Sequence, residues 1–295
     1  MNFIIYYLIG KEHGLGHKYR CDALAEHLID VGHNVYIINN DTRAYKDGIG
    51  ASSIIDGQLH NTMFAIRETH TLYDINIVIV DLKDNNEKLN SYIKSLGLKL
   101  VLLNGIGHNV DSESADLVWI QDSPHTVILR KKVLELSIDD GDKWLVFGGA
   151  ADEMGLLRVF DAVCDEPADL LYTTLTPVYN IDFIPSENHR LICVDGDEVL
   201  EYMAKARRAC VHMGMIAWEL VCGYTHVYVV SKNNSHKIFA DNMDKLGLAK
   251  SYDGDIHDER FVEFLNTPYF NNRGDYEFDG HINIMRVLGK WNTCA

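Results

Sequence analysis

"GKEHGLGHKYRC" (Gly10–Cys21) follows directly on the apolar run "FIIYYLI" (Phe3–Ile9). A buried strand that leaves through glycines and then enters a helix begins a βα unit, because the glycines permit a tight turn and close backbone approach. In open α/β sheets such turns lie beyond the carboxyl ends of the strands, where ligands bind. The helix that follows offers N–H groups to an anion. This stretch therefore predicts both a parallel α/β fold and a ligand site, with Gly14 and Gly16 lining it and His17 and Arg20 supplying side chains. A dinucleotide site is the familiar alternative, but "GLGHKYR" lacks the third glycine of G-x-G-x-x-G. The spacing of His13 and His17 suggests zinc, yet no carboxylate or cysteine completes a ligand set, and no metal is expected.

Outward from this turn, short β-rich runs alternate with helical patterns. Strands are predicted at "FIIYYL", "HNVYIIN", "INIVIVDL", "LKLVLLN" and "DLVWIQ", and helices at "KYRCDALAEHLIDVG" and "NNEKLNSYIKSLG". Both helices close on a glycine, where a left-handed cap belongs. A second series runs from "KWLVFGG" through "ADLLYTTL", "RLICVD", "ACVHMG" and "HVYVVS", with helices at "MGLLRVFDAV", "DEVLEYMAKA", "IAWELVCG" and "SHKIFADNMDKLG". Apolar strands alternating with helices indicate parallel sheets covered on both faces. The acidic, turn-like "LSIDDGDK" (Leu136–Lys143) separates the two series. The expected organisation is a Rossmann-like domain over residues 1–140, a second over 141–280, and a final helix over 281–295 that returns to the first.

Composition narrows the function. A chain of 295 residues with 47% hydrophobic and 24% charged residues has the balance of a globular protein with a substantial core. No apolar run approaches the roughly 18 residues that span a bilayer, and "MNFIIYYLIG" has neither a basic leader nor a cleavage site. The six cysteines show no C-x-x-C pair and read as reduced thiols, which places the protein in the cytoplasm. A formal charge of −16 repels phosphate at long range and argues against nonspecific nucleic-acid binding. The basic clusters Arg130–Lys132 and Lys205, Arg207, Arg208 read as solvated helix faces.

The glycine turn and its helix, "GLGHKYRCDALAEHL" (Gly14–Leu28), resemble the G-x-G-H-x-x-R-C-x-x-L-A motif of the UDP-sugar hydrolase of pseudaminic acid biosynthesis, a relative of the N-acetylglucosaminyltransferase of peptidoglycan-precursor synthesis. The likeness continues in order. "VFGGAADEMGLLRVFDAV" (Val146–Val163) resembles an F-G-G-S-D loop and helix, and "HMGMIAWELVCG" (His212–Gly223) a G-G-x-x-x-W-E-L-x-x-x-G segment. "NNSHKIFADNMDKLG" (Asn233–Gly247) and "FDGHINIMRVL" (Phe278–Leu288) match the family's later runs. The resemblance implies a GT-B fold: two doubly wound Rossmann-like domains facing across a cleft, the nucleotide-sugar donor held mainly by the second.

On that resemblance His17 is the general base, since an imidazole titrates near neutrality and can take a proton from a hydroxyl or water. Arg20, one helical turn on, orients His17 or contacts substrate, with a surface ion pair as the alternative. Glu219 accepts both ribose hydroxyls, a task suited to two acceptor oxygens. Gly148, Gly149 and Gly214 let backbone N–H groups approach the diphosphate, and Asn233 and Asn234 bond phosphate or sugar, or serve as a helix cap. Trp218 belongs to the core. The chain departs from the hydrolase at Ala150, at Met213 and Met215–Ala217, and at "DLKD" (Asp81–Asp84), where a D-S-Y type motif would stand. Hydroxyls that would bond diphosphate or orient water are thus replaced. The expectation is a glycosyltransferase using a nucleotide-diphosphate sugar, UDP-linked, with no cofactor and an unidentified acceptor. Hydrolysis releasing UDP and free sugar is the alternative, and a silent nucleotide-sugar binder a third reading. A hydroxylated DNA base is the one nucleic-acid acceptor the basic clusters keep open.

Overall fold

The computed structural model describes residues 1–10, 15–40, 50–53, 59–105, 112–136, 142–149, 155–163, 166–173, 187–194, 196–267, 269 and 271–293. The first series of elements is β1 (Asn2–Tyr7), α1 (Gly16–Asp30), β2 (Asn34–Asn39), β3 (Gly50–Ser53), α2 (Leu59–Tyr73), β4 (Ile77–Asp81), α3 (Glu87–Ser95), β5 (Lys99–Gly105) and β6 (Leu117–Gln121). The second is α4 (Lys131–Leu134), β7 (Lys143–Phe147), α5 (Arg158–Ala162), β8 (Ala168–Tyr172), β9 (His189–Cys193), α6 (Val199–Met203), β10 (Ala206–Val211), α7 (Met215–Cys222), β11 (His226–Val230), α8 (Asn234–Lys245), β12 (Ala249–Tyr252) and α9 (Glu259–Asn266). A last helix, α10 (Gly280–Gly289), follows. The chain forms two compact units: Met1–Ile9 with Leu15–Arg130 and Asp279–Ala295, and Gly10–Gly14 with Lys131–Phe278.

Each unit is built on a six-stranded sheet, in the orders β3-β2-β1-β4-β5-β6 and β12-β11-β10-β7-β8-β9. Every pairing is parallel. Counted from its own first strand, each sheet has the same doubly wound order, so each has one point where the winding reverses. That point lies between β1 and β4 in the first unit and between β7 and β10 in the second.

The strands read as unbroken apolar runs because both faces are covered. In β1, Phe3, Ile5 and Tyr7 pack with Cys21, Leu24 and Leu28 of α1 and with Ile284 and Leu288 of α10. The alternate residues Ile4 and Tyr6 pack with Ala65 and Ile66 of α2 and with Leu89 and Ile93 of α3. In the second unit Trp144, Val146, Leu170 and Cys210 meet Val159 and Phe160 of α5 and Phe261 and Leu265 of α9. Its other face is covered by α7 and α8, where Trp218 meets Phe239 edge to face. Trp218 is a core residue, as the sequence predicts.

Several elements carry too weak a pattern to be read from sequence. Helix α2 buries Thr62, Ala65, Ile66 and Thr69, a helical stripe half made of threonine, so its apolar signal is diluted. Thr62 is satisfied in the core by donating to the Tyr6 hydroxyl at 3.3 Å. Strand β12, "AKSY", is a polar edge strand, and α9 buries only Phe261 and Leu265. The predicted capping glycines hold: Gly32 and Gly97 have φ of +84° and +76°.

The basic clusters differ from the sequence reading. Arg130 is buried with its guanidinium over the Tyr19 ring, and Lys132 pairs with Asp197. Arg207 and Arg208 lie on β10, not on a helix, and Arg208 pairs with Glu166 while stacking over Trp144. Lys132 and Arg208 are thus taken up in local ion pairs, while Lys205 and Arg207 are exposed, as the sequence reading expects. Cys21, Cys193, Cys210 and Cys222 are free thiols; Cys164 and Cys294 lie outside the described residues, as does most of the acidic turn, 137–141. Among the described residues no helix is long and apolar enough to cross a membrane.

The return of α10 to the first unit depends on close backbone packing. A Cβ on Gly280 would lie 2.2 Å from the carbonyl oxygen of Val127 and 2.7 Å from its nitrogen. Backbone cannot yield as a flexible side chain does, so Gly280→Ala should cost about 1–3 kcal/mol through overpacking. Chemical denaturation of the variant checks this, and unchanged stability would show that α10 shifts freely.

Candidate active site

Helix α1 starts beyond the carboxyl end of β1 and carries His17, Arg20 and Cys21 at positions i, i+3 and i+4, hence on one face. That face meets the end of β4. In register, Tyr7 of β1 lies beside Asp81, so the carboxylate stands at the point where the winding of the first sheet reverses.

Asp81 is fully buried and three side chains converge on it. His17 Nδ1 lies 2.7 Å from Oδ1. Arg20 donates twice, from Nε to Oδ2 at 2.7 Å and from Nη2 to Oδ1 at 2.6 Å. The Cys21 thiol donates to Oδ2 at 3.4 Å. His17 and Arg20 are each only 8% exposed. Burial alone would raise the Asp81 carboxyl, but the Arg20 guanidinium and His17 outweigh it and hold the group well below the usual carboxylate range. Asp81 is therefore ionised and can only accept. The hydrogen on His17 Nδ1 then points at Asp81, and in the neutral imidazole the lone pair lies on Nε2. The 3.2 Å approach of Arg20 Nη2 to the same Nδ1 is a side-by-side contact, since both atoms are donors. Burial, and then the Asp81 charge, push the Cys21 thiol well up, so it stays protonated and is no nucleophile near neutrality.

His17, Arg20 and Gly16, the first residue of α1, thus come together as one end of a helix on one carboxylate; Gly14 and His13 lie outside the described residues. Asp81 itself was legible as the residue that ends an apolar run and opens "DLKD", with no partner assigned to it. The missing signal was the pairing of β4 with β1, which brings that position beside the glycine turn.

In the second unit, Gly148 and Gly149 follow β7, and Gly214 caps α7 just after β10, so all three flank the second reversal point. Gly149 has φ of +99° and Gly214 of +144°, conformations that a side chain would strain. Glu219 sits on α7 and is 1% exposed. Asn233 caps α8, its side-chain oxygen accepting from the His236 N–H at 3.0 Å, and the exposed Asn234 opens that helix. The cap is the structural use foreseen for Asn233. Not foreseen was His212, buried directly after β10, whose Nδ1–H donates to the Val230 carbonyl at 2.6 Å. Its ring lies 5.8 Å from that of His236. No group of three or more metal-ligating side chains occurs among the described residues.

Because the folded Asp81 binds a proton less readily than an unfolded aspartate, its contribution to stability is complete above the unfolded pKa of about 3.9 and is lost as pH falls below it. Removing the charge leaves Arg20 buried and uncompensated, at a cost of about 3–5 kcal/mol. The stability difference between wild type and Asp81→Asn should thus shrink as pH falls below about 4. Denaturant titrations across that range test it; a difference independent of pH down to acid would contradict the ionised, clamped carboxylate.

No protein-family model and no curated protein sequence matches the chain. Solved structures do. The chain is similar to the MurG of Acinetobacter baumannii (13% identity, TM-score 0.65, covering 98% of this chain and 100% of that one). It is similar to the glycotransferase of kitacinnamycin (10% identity, TM-score 0.65, 99% and 98%), and to the UDP-GlcNAc 2-epimerase of Methanocaldococcus jannaschii (10% identity, TM-score 0.61, 98% and 100%). With two doubly wound parallel α/β units and this likeness along nearly its whole length, the chain has the GT-B fold.

Proposed function

We propose that the protein is a glycosyltransferase that moves a sugar from a nucleotide diphosphate, UDP-linked, onto an acceptor hydroxyl, with His17 as general base. The observation that carries this reading is the 2.7 Å contact between His17 Nδ1 and the buried Asp81 carboxylate. A carboxylate that fixes the tautomer and steadies the imidazolium is how a histidine is made into an oriented base. In the step itself the acceptor O–H proton passes to Nε2 and the oxygen attacks the anomeric carbon. The bond from that carbon to the diphosphate breaks, and UDP departs with the electron pair. Arg20 acts through Asp81: by holding both carboxylate oxygens it fixes the group against which His17 is aligned.

The donor is assigned to the second unit. Gly148, Gly149 and Gly214 leave backbone N–H groups for a diphosphate at its reversal point, the general place for a nucleotide in a doubly wound sheet. Glu219 is assigned to the ribose and Asn234 to the phosphate or sugar. Names of similar structures support a nucleotide sugar in particular: one is a UDP-GlcNAc 2-epimerase, and another, from Phytolacca americana, is complexed with UDP-2fluoro-glucose. The high negative charge and the pairing of Lys132 and Arg208 with carboxylates make a DNA-borne acceptor the less supported choice.

His17→Ala should reduce turnover by roughly 10²–10⁴-fold while leaving UDP affinity nearly unchanged. Turnover per folded molecule close to wild type would remove His17 as the base. Glu219→Ala should weaken UDP binding by about 1.5–3 kcal/mol, measurable by calorimetry; undiminished affinity would take Glu219 out of the donor site. Transfer and hydrolysis separate by rate: a transferase given donor alone releases UDP slowly and speeds up when its acceptor is added. Fast, acceptor-independent release with an equal amount of free sugar would assign the hydrolase instead.

A further inference from the structure

Strand β1 lies between β2 and β4, and both neighbours reach the turn that follows it. On the β4 side, Asp81 holds the end of the turn through His17 and Arg20. On the β2 side, the paired register runs to Tyr6 and Ile38. Asn40 stands directly after β2 and holds the beginning of the turn. Its Oδ1 accepts from the N–H of Ile9 at 2.8 Å, and its Nδ2 donates to the carbonyl oxygen of the same residue, also at 2.8 Å. The proposed reaction does not use this pair.

A residue that gives both its N–H and its C=O to one partner is bonded as in an antiparallel strand pair. Here a side chain takes the partner's place. A carboxamide carries an acceptor and a donor on neighbouring atoms, so it completes both bonds. Other side chains of similar size do not: an ionised aspartate has no donor, and a hydroxyl has one oxygen for both roles. Glutamine sets its amide one carbon further out. Ile9 and Asn40 are 31 residues apart and both are half-buried, so no local turn explains the clamp. Gly10 follows at φ +138°, a conformation that a side chain would strain. The direction in which the chain leaves β1 is thus set at Ile9 and again at Gly10.

At the far end of the turn, α1 starts at Gly16 behind Leu15, and no side chain caps it. Asp81 grips the imidazole of His17 but not the backbone that carries it. That backbone needs a constraint of its own, because a misplacement of about 1 Å at a reacting group can cost about a hundredfold in rate. Resting on the transferase reading, we propose that Asn40 is a positioning residue. It fixes where the glycine turn begins, as Asp81 fixes where it ends, and so keeps His17 in place for the acceptor oxygen. Among the described residues both of its side-chain bonds are to Ile9, so it acts through the backbone and not on the imidazole. Residues 11–14 lie outside the described residues, and only the two ends of the turn enter here.

The test compares Asn40→Ala and Asn40→Asp with wild type, each as the full chain and scored per folded molecule. UDP release is followed from UDP-glucose, UDP-galactose, UDP-N-acetylglucosamine and UDP-N-acetylgalactosamine, with water as the acceptor. On any donor used, Asn40→Ala should lower kcat roughly ten- to a hundredfold and change the donor KM little. In Asn40→Asp a protonated carboxyl offers one acceptor and one O–H donor, as the amide does, whereas the ionised form turns a second oxygen on the Ile9 carbonyl. Its rate relative to wild type at the same pH should therefore rise as pH falls from about 8 to about 5, toward the carboxyl range. Lower thermal stability with kcat unchanged in Asn40→Ala, or a relative rate of Asn40→Asp that is flat with pH, overturns the proposal. A second readout needs no activity: in ¹⁵N-labelled Asn40→Ala the amide resonances of Gly10 and Gly16 should move while those of Val78 and Ile79 stay. A wild type that releases UDP from none of the donors refutes the UDP-sugar reading, and the amide shifts then decide the clamp alone. An unmoved Gly16 overturns it, whatever the activity.

Discussion

The buried Asp81 carboxylate organises the first unit's functional edge. Every side chain that meets it comes from one face of α1, and each interaction depends on the others. Without Arg20 a fully buried aspartate would tend to neutralise; with it, the charge is retained and the acceptor role toward His17 is fixed. Without the charge on Asp81, Arg20 would stand uncompensated in the interior, and His17 Nδ1 would lose this acceptor. A buried ion pair of this kind is weak evidence for net stability, since an apolar substitute could pack as well. Its value lies in orientation: it locks the start of α1 to the end of β4 at the sheet's reversal point.

The second unit solves a similar topological problem with backbone more than with charge. Its reversal point is flanked by glycines in conformations closed to other residues, and by histidine His212, held by a backbone carbonyl. The two units thus share one strand order and differ in what they place at the same spot. On the proposed reading, the cluster of the first unit handles a proton at the acceptor and the glycine-lined edge of the second takes the diphosphate. That division follows from sterics: side chains deliver protons, while close approach to a diphosphate needs side chains out of the way.

How far the sequence could be read depended on how each element is stabilised. Strands β1, β4 and β7 are buried on both faces and read as unbroken apolar runs, so they are plain in the sequence. Helix α2 was hidden because its buried stripe includes Thr62 and Thr69, whose hydroxyls are satisfied only through tertiary neighbours such as Tyr6. The clusters around Arg130 and Arg208 looked like solvated faces because their acidic and aromatic partners are distant in sequence: Tyr19, Asp197, Glu166 and Trp144.

By itself the sequence determined the alternation of strand and helix, the glycine caps, the position of His17 and Arg20 on one helical face, and the glycines that follow β7 and β10. All of these are local: they depend on hydropathy period, φ preference and the spacing of an α-helix. Only the tertiary structure decided that Asp81, more than sixty residues from His17, is the group that orients it. It also decided that Val80 and Leu82 face away from that cluster, and that the oxygens of Asn86 and Asn104 accept from backbone N–H groups. Parallel pairing of β1 with β4 joins residues that no sequence period connects, and burial then fixes which of their polar atoms must be ionised or bonded.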